Sequence, residues 1–344
     1  MSNKKIKVLI VDDSAVIRNI LSSNLCKFSD IEVLGAAPEP YTARDMILKL
    51  KPDVITLDIE MPRMDGLEFT EVLMAHCPIP IVIVSSLVKG NCETSIRALE
   101  AGAVDIFSKP EADVSRQLPR MMNDLAAKIR AASKSKPKRK GKSPSVTITP
   151  SSLIKTTDKV IAIGASTGGT EAIREVLQGF PSNMPGIAIV QHMPVHFTKT
   201  FASRLNSLCP NLHVDEAENG DNLINGKAFI APGDKHLLLK RSGARYYLEV
   251  KQGPSVCGHC PSVEVLFNSF AETAGRNSVG IILTGMGRDG AKGLLKMRDS
   301  GAKTIAQDEK SCVVYGMPRV AMEINAAEKE VELQHIARDT ISML

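Results

Sequence analysis

The chain has 344 residues, 43% of them hydrophobic, and a formal charge of +5, which is more length than one ordinary core needs and suits two domains of roughly 100 to 200 residues each. The charge does not indicate a nucleic-acid face, because Lys134, Lys136, Lys138, Arg139, Lys140 and Lys142 crowd into Ser133 to Ser143 and the remainder carries about −1. No apolar run approaches the roughly 18 residues that span a bilayer, and seven cysteines without regular spacing argue against a secreted disulfide framework, so a cytoplasmic chain with no membrane insertion is expected.

From Ile6 to about Arg130, apolar runs alternate with amphipathic stretches. Strands are expected near Val8 to Val11, Ile31 to Gly35, Val54 to Leu57, Ile81 to Val84 and Val104 to Phe107, with helices in the gaps. Such alternation predicts a doubly wound α/β layout around a five-stranded parallel sheet, with chemistry at the carboxyl ends of the strands. The polar residues fall at those ends: Asp12 and Asp13, Asp58 and Glu60, Ser85 and Ser86, and Lys109 before Pro110. Several carboxylates on one edge repel unless a hard cation sits among them, and Mg²⁺ favours a few carboxylates plus phosphate oxygens. A lysine and a hydroxyl beside them would hold the remaining phosphoryl oxygens. Each residue alone has an ordinary use, since Asp13 with Ser14 could cap a helix and M-P-R-M-D-G could be a turn; the set does not.

This segment resembles a response-regulator receiver domain through V-D-D-S (Val11 to Ser14), L-D-I-E-M-P-R-M-D-G (Leu57 to Gly66), V-S-S (Val84 to Ser86) and S-K-P (Ser108 to Pro110). The resemblance implies that Asp58 accepts a phosphoryl group from a histidine kinase. It further implies that Asp12, Asp13 and Asp58, with the backbone carbonyl of Glu60, hold Mg²⁺, that Ser85 is the switch hydroxyl and that Lys109 bonds the phosphoryl group. Three residues before the lysine, where the family commonly carries an aromatic, stands Ile106, with Phe107 beside it.

Residues 131–158 are rich in Lys, Ser, Thr and Pro and read as a flexible basic linker. A second α/β domain is expected over 159–344. Its strand candidates are V-I-A-I at Val160, G-I-A-I-V-Q at Gly186, K-A-F-I-A-P, Y-Y-L-E-V, V-G-I-I-L and K-T-I-A-Q-D. Its helix candidates are Gly169 to Leu177, Val195 to Leu208, Val263 to Ala274 and Ala291 to Arg298.

The first of those strands runs into G-A-S-T-G-G, a turn that could cradle phosphate or present a nucleophile. A dinucleotide fingerprint wants glycine where Ser166 stands and an acidic residue after the next strand, where Gln191 and His192 stand instead. A Walker loop wants a lysine that is absent. Ser166, His192 and Asp289 each follow an apolar strand, so parallel neighbours would bring nucleophile, base and orienting carboxylate to one rim. Asp289 could instead cap the helix starting near Gly290. His236 is expected at a strand start, in a loop or lining the cleft. Cys257 and Cys260, with His259 between them, form the one C-x-x-C, and zinc would need further ligands that no second pair supplies. Ordinary thiols are expected there.

The order Ser, His, Asp differs from the α/β-hydrolase, chymotrypsin and subtilisin orders. This half resembles the chemotaxis-specific protein-glutamate methylesterases of the CheB type. The resemblance rests on I-G-A-S-T-G-G-T-E-A, Q-H-M at Gln191, A-P-G at Ala231, P-S-V-E-V-L-F at Pro261 and L-T-G-M-G-R-D-G-A. It implies a mainly parallel sheet and a hydrolase that removes methyl groups from glutamyl esters of chemoreceptors, releasing methanol, and that also deamidates receptor glutamines. Ser166 would be the nucleophile, His192 the base and Asp289 its partner, with no cofactor for the hydrolytic step. Backbone amides near Thr167 and Met286 are expected to receive the oxyanion. Two departures from the family pattern are Cys260, where arginine is common, and the ending D-T-I-S-M-L in place of an aromatic receptor-binding tail. A receiver joined to an esterase by a linker implies regulation, with the receiver expected to gate Ser166. A non-enzymatic regulator is the rival class. No helix-turn-helix favours DNA.

Overall fold

The computed structural model describes residues 4–86, 89–110, 112–135 and 158–344, Lys89 by its main chain only. The chain divides into two compact units between Ser143 and Pro144.

In the first unit, β1 (Ile6–Val11), α1 (Ala15–Leu25), β2 (Ile31–Ala37), α2 (Pro40–Leu50), β3 (Val54–Leu57), α3 (Gly66–His76), β4 (Ile81–Ser85), α4 (Lys89–Ala101) and β5 (Asp105–Ser108) alternate as expected. A short α5 (Val114–Gln117) and α6 (Met122–Ala132) close it. The five strands are parallel in the order β2-β1-β3-β4-β5. Their near-continuous apolar runs follow from burial on both faces: all four residues of β3 and all five of β4 are buried. Strand order reverses between β1 and β3, so the crevice at their carboxyl ends is where such a sheet takes ligands. Ala131 and Ala132, assigned to the linker on composition, are instead buried helical residues of α6. The rest of the basic tract and linker, 136–157, lies outside the described residues.

The second unit runs β6 (Val160–Ala165), α7 (Gly169–Gln178), β7 (Ile187–Gln191), α8 (Phe197–Leu208), β8 (His213–Glu216), β9 (Lys227–Ile230), β10 (His236–Ser242), β11 (Arg245–Lys251), α9 (Val263–Thr273), β12 (Ser278–Ile282), α10 (Ala291–Asp299), β13 (Lys303–Gln307), α11 (Met317–Glu323), β14 (Lys329–Val331) and α12 (Leu333–Ser342). Seven strands form one parallel sheet, β14-β13-β12-β6-β7-β9-β8, and β10 with β11 forms an antiparallel hairpin. The central strands β6, β7 and β12 are wholly buried, and the chain departs from β6 to opposite sides, first to β7 and later to β12. This second reversal of strand order places the turn after β6 at the ligand crevice. The α9 helix packs Leu266, Phe267 and Phe270, all fully buried, into the core shared with Leu237, Leu239 and Leu248 of the hairpin. That packing fixes the start of α9 beside the carboxyl end of β6.

Candidate functional site

Ser166 immediately follows β6, and its N–H donates to Thr284 O at 3.0 Å. Gly168 adopts φ +77, a left-handed conformation that a side chain would strain, and lets Gly169 N–H close the turn onto Ser166 O at 2.7 Å. Ser166 is 9% exposed and Thr167 5%. Gln191, the last residue of β7, donates through Nε2 to Ser166 O at 2.8 Å and to His192 O at 3.2 Å. One buried amide thereby ties the turn bearing the serine to the residue after the next strand.

His192 Nε2 lies 2.8 Å from Asp289 Oδ2. Asp289 is 2% exposed and accepts three further hydrogen bonds: Ser262 Oγ at 2.7 Å and Glu264 N–H at 3.0 Å on Oδ1, and Val263 N–H at 2.8 Å on Oδ2. Burial alone would raise its pKa, but the bonds from His192, Ser262 and Glu264 N–H outweigh it and leave the carboxyl below the usual range. The alternative role as a cap of its own helix does not hold: Gly290 is the N-cap of α10, with no side-chain cap bond. Asp289 instead serves the start of α9, where Ser262 makes no side-chain cap bond and the helix dipole favours a negative charge. His192 Nδ1 is buried and has no hydrogen-bond partner among the described residues. Ser166 Oγ makes no hydrogen bond to it.

The turn after β12 meets the serine turn closely. A Cβ on Gly285 would lie 2.7 Å from Ser166 Cβ and 2.4 Å from Met317 Sδ, so only glycine fits. Thr284 Oγ1 donates to Thr167 O at 3.0 Å and accepts from Val314 N–H at 2.9 Å. Gly285 N–H donates to Val314 O at 3.0 Å. The Met286 amide donates to no group among the described residues, which suits it to a developing oxyanion.

His236 starts β10 and is buried, with Nδ1 accepting from Ser262 N–H at 3.3 Å and Nε2 lying 3.0 Å from Pro254 O. Both bonds are made together when Nε2 carries the proton, so this side chain ties Pro254 to Ser262, the residue before α9. Burial, with Asp289 and Glu264 next, pushes the Cys257 thiol up, and burial with Asp234 does the same for Cys260. That is opposite to the thiolate stabilisation that redox or metal chemistry uses. Among the described residues, the one group of His, Cys, Asp or Glu close enough to share a metal ion is Asp12, Asp13 and Asp58.

In the first unit, Asp12 and Asp13 follow β1 and Asp58 follows β3, with Asp58 N–H donating to Val11 O at 2.9 Å. Lys109 Nζ lies 2.7 Å from Asp58 Oδ2 and 2.8 Å from Asp12 Oδ2. Both distances are within hydrogen-bond reach, so one ammonium bridges the two carboxylates. Burial pushes Asp58 up to about 6 despite Lys109, with Asp12 adding to the rise, and burial likewise raises Asp12. Three carboxylates with ligand atoms mutually within 4.8 Å, facing a single lysine, carry more negative charge than that lysine offsets, a donor set that fits a small divalent cation. Ser85 ends β4, fully buried, with Oγ donating to Ser86 O at 3.3 Å. Lys109 N–H donates to Ser85 O at 2.7 Å. Glu60 is exposed in the loop leaving β3, and its side chain is not part of the cluster. Ile106 and Phe107 are both buried.

Residues 161–340 match the family described as CheB methylesterase, and residues 8–118 match the response regulator receiver domain. The chain belongs to the CheB methylesterase family. Within it, the chain is 53% identical over 344 residues to the protein-glutamate methylesterase/protein-glutamine glutaminase 2 of Syntrophus aciditrophicus (strain SB), covering 99% of both chains. It is 49% identical over 341 residues to the protein-glutamate methylesterase/protein-glutamine glutaminase of Escherichia coli (strain K12), covering 99% of this chain and 97% of that one. The crystal structure of the Thermotoga maritima CheB methylesterase catalytic domain aligns with a TM-score of 0.53 at 36% identity, covering 54% of this chain and 98% of that domain. No helix among the described residues is long and apolar enough to cross a membrane.

Ser166, His192 and Asp289, each expected after an apolar strand, lie beyond the carboxyl ends of the neighbouring parallel strands β6, β7 and β12. Gln191, Ser262, Thr284 and His259 were not assigned roles from sequence. A glutamine before the histidine and a serine after a proline are unremarkable as letters; the pairing of β6 with β7 gives Gln191 its partners, and the return of α9 to β6 gives Ser262 its bond to Asp289.

Proposed function

We propose that the chain is a phosphorylation-activated serine hydrolase that demethylates glutamate γ-methyl esters on the cytoplasmic helices of chemoreceptors and deamidates glutamines there. What carries this is the His192–Asp289 pair, with Asp289 saturated by donors, set beside a serine in a tight turn at the crevice of a CheB-type sheet.

Ser166 Oγ attacks the side-chain carbonyl carbon of the ester while His192 takes its proton. Asp289 engages Nε2, so Nδ1 is the basic nitrogen, and the fixed negative charge stabilises the imidazolium that forms. The oxyanion lies toward the amides of Met286 and Thr167. On collapse, His192 returns the proton to the departing methanol, or to ammonia when the substrate is glutamine. Water, deprotonated by His192, then attacks the acyl-enzyme carbonyl and releases glutamate, restoring Ser166. Nothing in these steps calls for a cofactor.

In the receiver unit, Asp58 accepts the phosphoryl group from a chemotaxis histidine kinase, and Lys109 and Ser85 hold its oxygens. Asp12, Asp13, Asp58 and the backbone carbonyl of Glu60 would hold Mg²⁺, which offsets carboxylate charge and binds phosphoryl oxygens. Lys109, already between Asp12 and Asp58, needs only a small displacement to serve the new oxygens. The working compartment on this view is the cytoplasm, where kinase and receptor tails meet.

Methanol release from methylated receptor membranes tests the proposal. The full chain should release methanol faster with a phosphodonor, and Ser166→Ala should release none above the uncatalysed rate. A wild-type chain that binds receptor but releases no methanol would establish the non-enzymatic alternative instead.

A further inference from the structure

The ring of His259 lies flat on that of His192, with centroids 3.7 Å apart and planes 13° from parallel. It comes from a tight turn, Val256 to His259, closed by Val256 N–H to His259 O at 2.9 Å and His259 N–H to Val256 O at 3.0 Å. Cys257 and Gly258 at its tip have φ of +54 and +88, the double left-handed geometry of a two-residue hairpin turn. The strap is anchored on both sides of this turn. Pro254 O meets His236 Nε2, and Ser262 reaches both His236 Nδ1, through its N–H, and Asp289 Oδ1, through its hydroxyl. Asp289 therefore holds His192 by its edge and, through Ser262, also holds the strap that lays a second imidazole on its face.

One hydrogen bond at Nε2 fixes a point on the His192 ring and leaves the ring plane free to swing about it. The plane decides where Nδ1 points, and Nδ1 has no hydrogen bond of its own among the described residues. We propose that His259 is a positioning residue, whose stacked ring sets the plane of His192 so that Nδ1 meets the proton of Ser166. When His192 takes that proton, the imidazolium also lies against the face of an aromatic ring. This inference rests on the roles proposed above for Ser166, His192 and Asp289.

The test uses the full-length chain with two substrates. A small alkyl fluorophosphonate reports serine activation without receptor binding: the Ser166 Oγ–P bond forms, the P–F bond breaks, the serine proton passes to His192 and fluoride leaves. Methylated receptor membranes report turnover. His259→Ala should slow phosphonylation and lower kcat for methanol release by about tenfold each, with KM within about twofold. His259→Phe, which restores a flat ring, should recover both to within about threefold of wild type. Unchanged phosphonylation in His259→Ala, including the case where only KM for receptor rises, overturns the inference. So does a Phe variant no better than the Ala variant. Ser166→Ala run alongside should not be phosphonylated; labelling that persists in it would overturn the triad itself, a result separate from full-rate labelling of His259→Ala.

Discussion

Asp58 and Asp289 sit at corresponding places in two parallel sheets, beyond a central strand beside the point where strand order reverses, yet their surroundings are opposite. Asp58 has one lysine, shared with Asp12, and a single N–H from Ile59 at 2.8 Å. Its carboxyl is pushed up to about 6 by burial, with Asp12 adding to the rise. Asp289 has four donors, and its carboxyl is held down in spite of burial. Negative charge left over at a crevice suits a place where something is brought in, a cation and then a phosphoryl group. Negative charge already satisfied suits a fixed part whose work is to orient a neighbour. Equal burial at equivalent topology therefore does not define a role; the count of donors does.

Replacing each carboxylate by its amide should separate the two most sharply. Asp289→Asn puts an NH₂ in place of one of two oxygens that both accept, and kcat for methanol release should fall about a thousand- to ten-thousandfold. Asp58→Asn should leave unstimulated methanol release intact and abolish its rise with phosphodonor. Loss of basal activity in Asp58→Asn would mean that the receiver aspartate supports the hydrolytic unit directly, and the contrast would break. The same pair should move stability in opposite directions at pH 7 in magnesium-free buffer. Asp58→Asn relieves like-charge crowding and should stabilise the receiver by about 1–3 kcal/mol, whereas Asp289→Asn should destabilise its unit by about 1–3 kcal/mol. Urea unfolding followed separately for the two units would read both.

Between these extremes lies the steric contact that brings the serine turn to the turn after β12. Gly285→Ala places a methyl group 2.7 Å from Ser166 Cβ and 2.4 Å from Met317 Sδ, and one of the turns must yield. A displacement of a few tenths of an ångström at a nucleophile should lower kcat by about ten- to a hundredfold while leaving phosphorylation of Asp58 unaffected. Equal activity would show that the approach of the two turns is not what sets the geometry at Ser166.

Much of this organisation could be read from the letters because the central strands are unbroken apolar runs ending in polar residues, as in V-I-A-I before Ser166 and V-L-I-V before Asp12. The edges were harder. Strand β8, H-V-D-E, buries one residue of four and β14 one of three, so neither shows a strand period. Helices α11 and α12 were not foreseen either. At the candidate site, the chain-local residues were legible and the long-range ones were not. In the sequence Ser262 is only one letter of P-S-V-E-V-L-F, and its bond to Asp289, 27 residues later, exists because α9 folds back over β6. Asp289, expected as the partner of His192 with a cap of the following helix as the alternative, does bond His192 but accepts from the first N–H groups of α9 rather than α10, a distinction that requires tertiary structure.

The smallest effect expected is also the one that isolates how Asp289 is held. Ser262→Ala removes a single charge-assisted donor at 2.7 Å and keeps the two main-chain donors and His192. With three donors left on the carboxylate, at pH 7 it should destabilise the catalytic unit by only about 0.5–1 kcal/mol. Because the folded pKa of Asp289 is depressed below 3.8, the stability that its charge contributes is present above that value. It is lost only as pH falls through the lower, folded value. The gap between wild type and Ser262→Ala in urea midpoint should therefore persist from pH 7 to about pH 4 and narrow below it. A gap that narrowed nearer pH 6 would place Asp289 with Asp58, as a carboxylate that burial raises rather than one that its donors hold down.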